Sequence, residues 1–308
     1  MNHFLSSLTS LLEGFTTSGR AARAQQRADV RARAAAVTRH RLQEEEPFLH
    51  AIADAPDDDL PRLIFADWLE ERGDPRAEFI RVQCELARLP ADDAHRRSLA
   101  TRERQLLRQH YRNWTGPLLM RVGHGLEYGE PTYERGFIEE IRITAEDFLA
   151  HAPALFARAP LQRVHLSTAG GYVPQLADCP YLARLTALAF SWDRIGGKRL
   201  RSLLASPYLA RLKCLRLETC GIGDDGAEAL AAAPALAGLT QLDLSTQEAP
   251  ARPGNSSRMN QIGDAGASLL VQSPHLGRLE SLDLRGNPIG AAGQTALRKR
   301  WGQRVQLS

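Results

Sequence analysis

Lysine is almost missing from this chain of 308 residues: three stand against 36 arginines. The skew runs the length of the chain beside abundant alanine and leucine. It reads as a bias of coding composition rather than as 36 phosphate contacts, so arginine count alone does not make nucleic acid the expected partner. Cysteine is scarce as well. Cys84, Cys179, Cys214 and Cys220 form no Cys-x-x-Cys pair and no framework spacing, which excludes a disulfide scaffold and a zinc cluster and fits reduced residues in the cytoplasm. No apolar run approaches the roughly 20 residues that span a bilayer. Gly-x-Ser-x-Gly, His-Glu-x-x-His and Gly-x-x-x-x-Gly-Lys are all absent. The nine histidines, His3, His40, His50, His95, His110, His124, His151, His165 and His275, stand singly, with no neighbour at ligand spacing. We therefore expect no catalytic residue, cofactor or metal, and a protein that is not an enzyme; a hydrolase assembled from distant residues is the third-ranked alternative.

What the chain does contain is a repeat. Leu212-x-x-Leu215-x-Leu217-x-x-Cys220-x-Ile222-Gly223-x-x-Gly226 recurs as Leu279-x-x-Leu282-x-Leu284-x-x-Asn287-x-Ile289-Gly290-x-x-Gly293. A third copy, Leu239-x-x-Leu242-x-Leu244, has its Asn260-x-Ile262-Gly263-x-x-Gly266 displaced downstream. Leu-x-Leu alternation puts both leucines on one face of a short strand. A glycine turn and an apolar run at helical spacing, such as Ala227, Leu230 and Ala231, follow it. The asparagine can bond backbone groups freed by the bend, so stacked copies should carry an internal polar ladder, with Cys220 as a weak rung. The pattern resembles the leucine-rich repeat, and its Ile-Gly-Asp-x-Gly-Ala tail resembles the ribonuclease-inhibitor subtype. That resemblance implies an α/β solenoid, with a parallel sheet on the concave face and helices on the convex face, which binds a partner protein.

Followed outward, the strand position runs Ile141, Val164, Leu188, Leu215, Leu242, Leu282 and Val305, predicting about seven parallel strands across 136–308, the first being Gly136 to Ile143. Thirteen extra residues, 247–259, predict an exposed loop. Residues alternating with the leucines are the candidate partner-binding set: Arg163, His165, Trp192, Arg216, Glu218, Asp243, Asp283 and Arg285. Asp243 and Asp283 should be neighbours, a like-charge contact, with Arg216 and Arg285 at hand to neutralise it.

Charge divides the rest. Residues 1–43 carry seven arginines against Glu13 and Asp29, whereas 44–78 carry twelve acids against Arg62, Arg72 and Arg76. The arm is expected to be amphipathic over 3–15 and basic beyond. It is a flexible extension, a surface for anionic lipid or another acidic partner, or a transit peptide. An adaptor recruited to a membrane surface or nucleic acid through this arm is the alternative function.

Within 44–90 three helices are legible. The first spans about Pro47 to Ala55; the second is capped by Asp58 or Asp59 and ends at Gly73; the third opens at Asp74-Pro75. Trp68, four residues after Ile64, is expected on the buried side. Its eight acids from Asp57 to Glu78 read as helix caps and solvated charge rather than a cation site. Phe48-Leu49, Asp57-Asp58, Pro61-Arg62-Leu63, Ala66-Asp67-Trp68-Leu69-Glu70-Glu71, Gly73-Asp74-Pro75 and Glu78-Phe79-Ile80 together resemble the repeat-companion domain, a short bacterial module that accompanies repeats and has no established activity. Residues 91–135 read as a connecting helix and loop.

Overall fold

Alternation in the leucine copies dictates the sheet. The computed structural model describes residues 24–29, 32, 33, 36, 40–122, 131–247 and 258–307. The expected helix over 3–15, the Gly123 to Gly129 loop and most of the 247–259 insertion lie outside them. Eight strands form one sheet in chain order: β1 (Thr132–Glu134), β2 (Phe137–Thr144), β3 (Arg163–Ser167), β4 (Ala187–Ser191), β5 (Cys214–Glu218), β6 (Gln241–Asp243), β7 (Ser281–Asp283) and β8 (Val305–Gln306). From β2 onward all pairs are parallel, and Ile141, Val164, Leu188, Leu215, Leu242, Leu282 and Val305 lie side by side in one register. The expected register is thus the observed one. The inward pairs from Ile141 and Ile143 through Leu282 and Leu284 are at most 2% exposed.

One strand is additional. β1 pairs antiparallel with β2, turned by Arg135 and Gly136 with φ of 48° and 91°. Two positive φ values in a two-residue hairpin match the twist of the flanking strands. The first parallel strand accordingly starts at Phe137.

Helices α4 (Ala145–Phe156), α5 (Val173–Ala177), α6 (Gly196–Leu204), α7 (Gly223–Ala231), α8 (Asp264–Gln272) and α9 (Ala291–Trp301) follow successive strands. The polar ladder is present. Asn260, fully buried, donates to the carbonyls of Leu217 and Leu244 at 2.8 Å each and accepts the N–H of Cys220 at 2.9 Å. Asn287 donates to Leu244 and Leu284 at 2.8 and 3.0 Å and accepts the Ile262 N–H at 3.0 Å. Cys220 manages only long thiol contacts, 3.3 and 3.5 Å, to the Glu218 and Phe190 carbonyls. Burial pushes its thiol up to about 12, so it stays protonated. In the β4 repeat the rung is Asp193, which takes the N–H groups of Ala169 and Gly170.

A second ladder links the helix starts. Asp224 Oδ1 accepts the N–H groups of Gly263 and Gly266 at 2.8 and 3.0 Å, and Asp264 Oδ1 those of Gly290 and Gly293 at 2.9 and 3.1 Å. A Cβ on Gly266 or Gly293 would stand 2.4 Å from that carboxylate oxygen, so glycine is required for the close approach. Each carboxylate also meets the positive end of the next helix.

The insertion is anchored at both ends. Gln247 donates its N–H to Thr219 Oγ1 at 3.0 Å, the Arg258 carbonyl accepts the Gly221 N–H at 2.6 Å, and the Arg258 guanidinium reaches the Trp192 carbonyl at 2.9 Å. Removing 248–257 and closing the gap with two glycines is therefore expected to shift stability by less than about 1 kcal/mol. Deleting all 13 residues, Gln247 to Met259, should cost more because it also removes these anchors. Denaturant midpoints in the reverse order would sink this account.

The chain divides into two compact units, Met1–Ala51 and Ile52–Ser308. In the first, residues 40–51 are helical, so Pro47 lies inside the helical stretch rather than at its start. Arg41 and Glu45, four residues apart and 2.9 Å from each other, support the earlier start. The second unit opens with α1 (Leu60–Glu70), α2 (Arg76–Arg88) and α3 (Arg96–Val122). Asp58 Oδ1 accepts the Leu60 N–H at 2.9 Å, Asp74 Oδ1 accepts the Arg76 N–H at 2.8 Å, and Gly73 closes α1 with φ of 65°. Of the other acids, Asp67 and Glu70 pair with Arg81, Glu71 with Arg72, Glu78 with Arg102, and Asp59 with Arg88 and Arg135.

The buried face of α1 differs from the expected one. Arg62, Phe65, Ala66 and Leu69 point inward, while Leu60 and Ile64 are 60% and 50% exposed. Trp68 is half-buried, its ring 5.8 Å from Phe65 and capped by the Arg72 guanidinium at 3.7 Å. The rotation follows from Arg62. Its Nη2 meets Glu139 Oε1 of β2 at 2.7 Å, with both side chains at most 1% exposed. Arg135 and Arg163 approach the same carboxylate at 3.8 Å, and Gln162 donates to it at 3.4 Å. Burial pushes the Glu139 carboxyl upward against the pull of Arg62 and Arg135.

Candidate functional site: the open face of the sheet

Side chains opposite the leucine row stand on the face that the helices leave open. Register sets them in rows. Glu140, Arg163, Ala187, Cys214, Gln241 and Ser281 form the first; Arg142, His165, Ala189, Arg216, Asp243 and Asp283 form the second. Ser191 and Glu218 are paired beyond them. Glu140 and Arg142 belong here although they were not among the expected partner residues. The alternation Glu140-Ile141-Arg142-Ile143 carried that signal.

Electrostatics divides the face. Arg163 is held by Glu134 at 2.6 Å and Glu140 at 3.1 Å, which neutralises the corner beside β1. Arg142 and Arg216 are exposed. Between them His165 is half-buried, and burial, followed by the two arginines, lowers its pKa, so it faces outward as a neutral imidazole at neutral pH. Asp243 and Asp283 are register neighbours, as expected. Arg285 folds onto Asp283 at 2.5 Å, and Asp243 Oδ1 accepts the Ser245 N–H and hydroxyl at 2.9 and 2.7 Å. Arg216 lies opposite Asp243. Glu218 completes the acidic end; burial first, and then Asp243 and Asp283, hold its carboxyl above the usual range.

Trp192 stands just beyond β4 with φ of 58°. The same position four residues after the strand leucine is left-handed in other repeats, at Thr168, Thr219 and Gly286, with φ of 51°, 54° and 73°. The turn thus favours glycine, and a non-glycine residue there costs about 1–2 kcal/mol. Trp192 is the bulkiest of the four residues at this position.

Among the described residues no group of three His, Cys, Asp or Glu is placed to hold a metal ion. No described helix is long and apolar enough to cross a membrane. Two segments, residues 211–231 and 279–297, match the leucine-rich repeat family. These repeats generally mediate contact between proteins. A search of curated proteins finds no match.

Proposed function

We propose that this protein is a non-enzymatic scaffold that binds a protein partner through the open face of its repeats. One observation carries the reading: a continuous row from Arg142 to Asp283 displays charges of both signs on a rigid sheet, with Trp192 held at its margin against a local backbone cost. Mixed charge around an aromatic suits a protein interface better than a uniformly basic nucleic-acid groove. The crowding of Glu218, Asp243 and Asp283 favours a partner that brings cations to that end. Within this reading the repeats are of the ribonuclease-inhibitor subtype, residues 44–90 are a bacterial companion module, and the protein works in the cytoplasm.

Affinity capture from the native cell tests the proposal. Replacing Trp192 and Arg216 together by alanine is expected to abolish capture of the partner while the melting transition is kept. If the double variant captures normally and removal of residues 1–43 abolishes capture, the basic arm is the functional surface instead.

A further inference from the structure

A second motif runs through the repeats on another margin. Cys179-Pro180-Tyr181-Leu182-Ala183-Arg184-Leu185 recurs as Ser206-Pro207-Tyr208-Leu209-Ala210-Arg211-Leu212, as Ala233-Pro234-Ala235-Leu236-Ala237-Gly238-Leu239 and as Ser273-Pro274-His275-Leu276-Gly277-Arg278-Leu279. Both leucines of every copy are buried, and the residue just before the second is turned to solvent at the edge where the next strand begins. It is arginine in three copies. In the fourth it is Gly238, and the Lys213 ammonium fills the vacancy: a Cβ on Gly238 would lie 3.7 Å from Lys213 Nζ. Four successive repeats thus present a cation along one edge.

Among the described residues no carboxylate pairs with these cations. Arg184, Arg211, Lys213 and Arg278 are all exposed, and among the described residues none forms an ion pair, whereas Arg81, Arg102 and Arg201, on helices of the same unit, each meet a carboxylate within 2.8 Å. Glu280 lies close to Arg278 in sequence, yet does not pair with it. Arg184 and Arg211 also border a shallow recess lined by Phe156, Pro160 and Leu161, and the Arg184 guanidinium lies 5.9 Å from the centre of the Phe156 ring.

We propose that this edge binds an extended acidic polypeptide segment, whose carboxylates pair with the guanidinium groups of Arg184, Arg211 and Arg278 and the ammonium of Lys213. Adjacent strands are about 4.8 Å apart, and alternate side chains of an extended chain about 6.8 Å apart, so one such segment reaches several cations in turn. Guanidinium matches carboxylate two bonds at a time. Single-stranded nucleic acid fits less well, because it uses free aromatic platforms beside the cations, and Tyr181 commits a face to Phe156 at 5.3 Å while Tyr208 packs on the core. The proposal is independent of the open-face reading.

The test uses the full chain and a fluorescein-labelled Glu-Glu-Glu-Leu-Glu-Glu-Glu peptide, followed by anisotropy at low salt. Reversing two exposed charges, in R184E/R211E, is expected to weaken binding about tenfold. K198E/R199E on α6 should bind like the parent. R184Q/R211Q, with an unchanged melting transition, separates loss of binding from loss of fold. Equal weakening by both charge reversals, no binding at all, or tighter and equally Arg184-dependent binding of a thymidine oligonucleotide would each overturn the proposal.

Discussion

Alanine in place of Leu242 is expected to lower the stability of the repeat domain by roughly 2–5 kcal/mol, and Leu215→Ala and Leu282→Ala by similar amounts. The three side chains are at most 1% exposed and sit in one register line, so each truncation leaves a hole bordered by the equivalent aliphatic side chains of the repeats on either side, Val305 being the outer neighbour of Leu282. Close packing on both flanks prevents collapse into the gap. Arg216→Ala, one residue from Leu215 but on the open face, should change stability by less than about 0.5 kcal/mol. Urea melts of the four variants check the pattern. Similar losses for Leu215→Ala and Arg216→Ala would mean that the two faces of the strand have been interchanged.

The second large effect concerns Arg62 and Glu139. Removing one partner strands the other charge in an interior where both are at most 1% exposed, and Arg62→Ala or Glu139→Ala should each cost roughly 3–5 kcal/mol. Replacing both at once, as R62M/E139L, removes the orphan along with the pair and is expected to cost less than either single change. The discriminating quantity is the coupling in a double-mutant cycle. If the double loss equals the sum of the singles, the two side chains act separately and do not join α1 to β2.

The strand register was legible because leucine alternation and repeat length speak to each other: seven positions were placed by pattern and all seven align. Asn260 was legible too, since Ile262 and Gly263 travel with it across the insertion. β1 was not, because Thr132, Tyr133 and Glu134 make too short a run to show alternation. Nor was the buried pair. Arg62 and Glu139 are 77 residues apart, and a charged residue inside a helix reads as solvated until its partner is in place, which is why the inward face of α1 was assigned to Ile64 instead. Arg142 and Glu140 share the alternation of the later strands and were legible in the same way, although the expected partner set began only at Arg163. The basic edge, by contrast, lay open in the sequence as a four-fold motif, obscured by the arginine excess of the whole chain.

The carboxylates of Asp224 and Asp264 always serve the helix that follows, never the one before. The array is therefore asymmetric in its debts. At the helix starts alone, cutting away the last repeat leaves the Asp264 carboxylate facing water, where it is well solvated, whereas cutting away an earlier one strands amide groups at the start of the next helix. The Asn ladder runs the other way, since Asn287 accepts the Ile262 N–H of the repeat before it. A chain emerging during synthesis therefore meets each aspartate before the helix that needs it, and each asparagine after the strand that needs it.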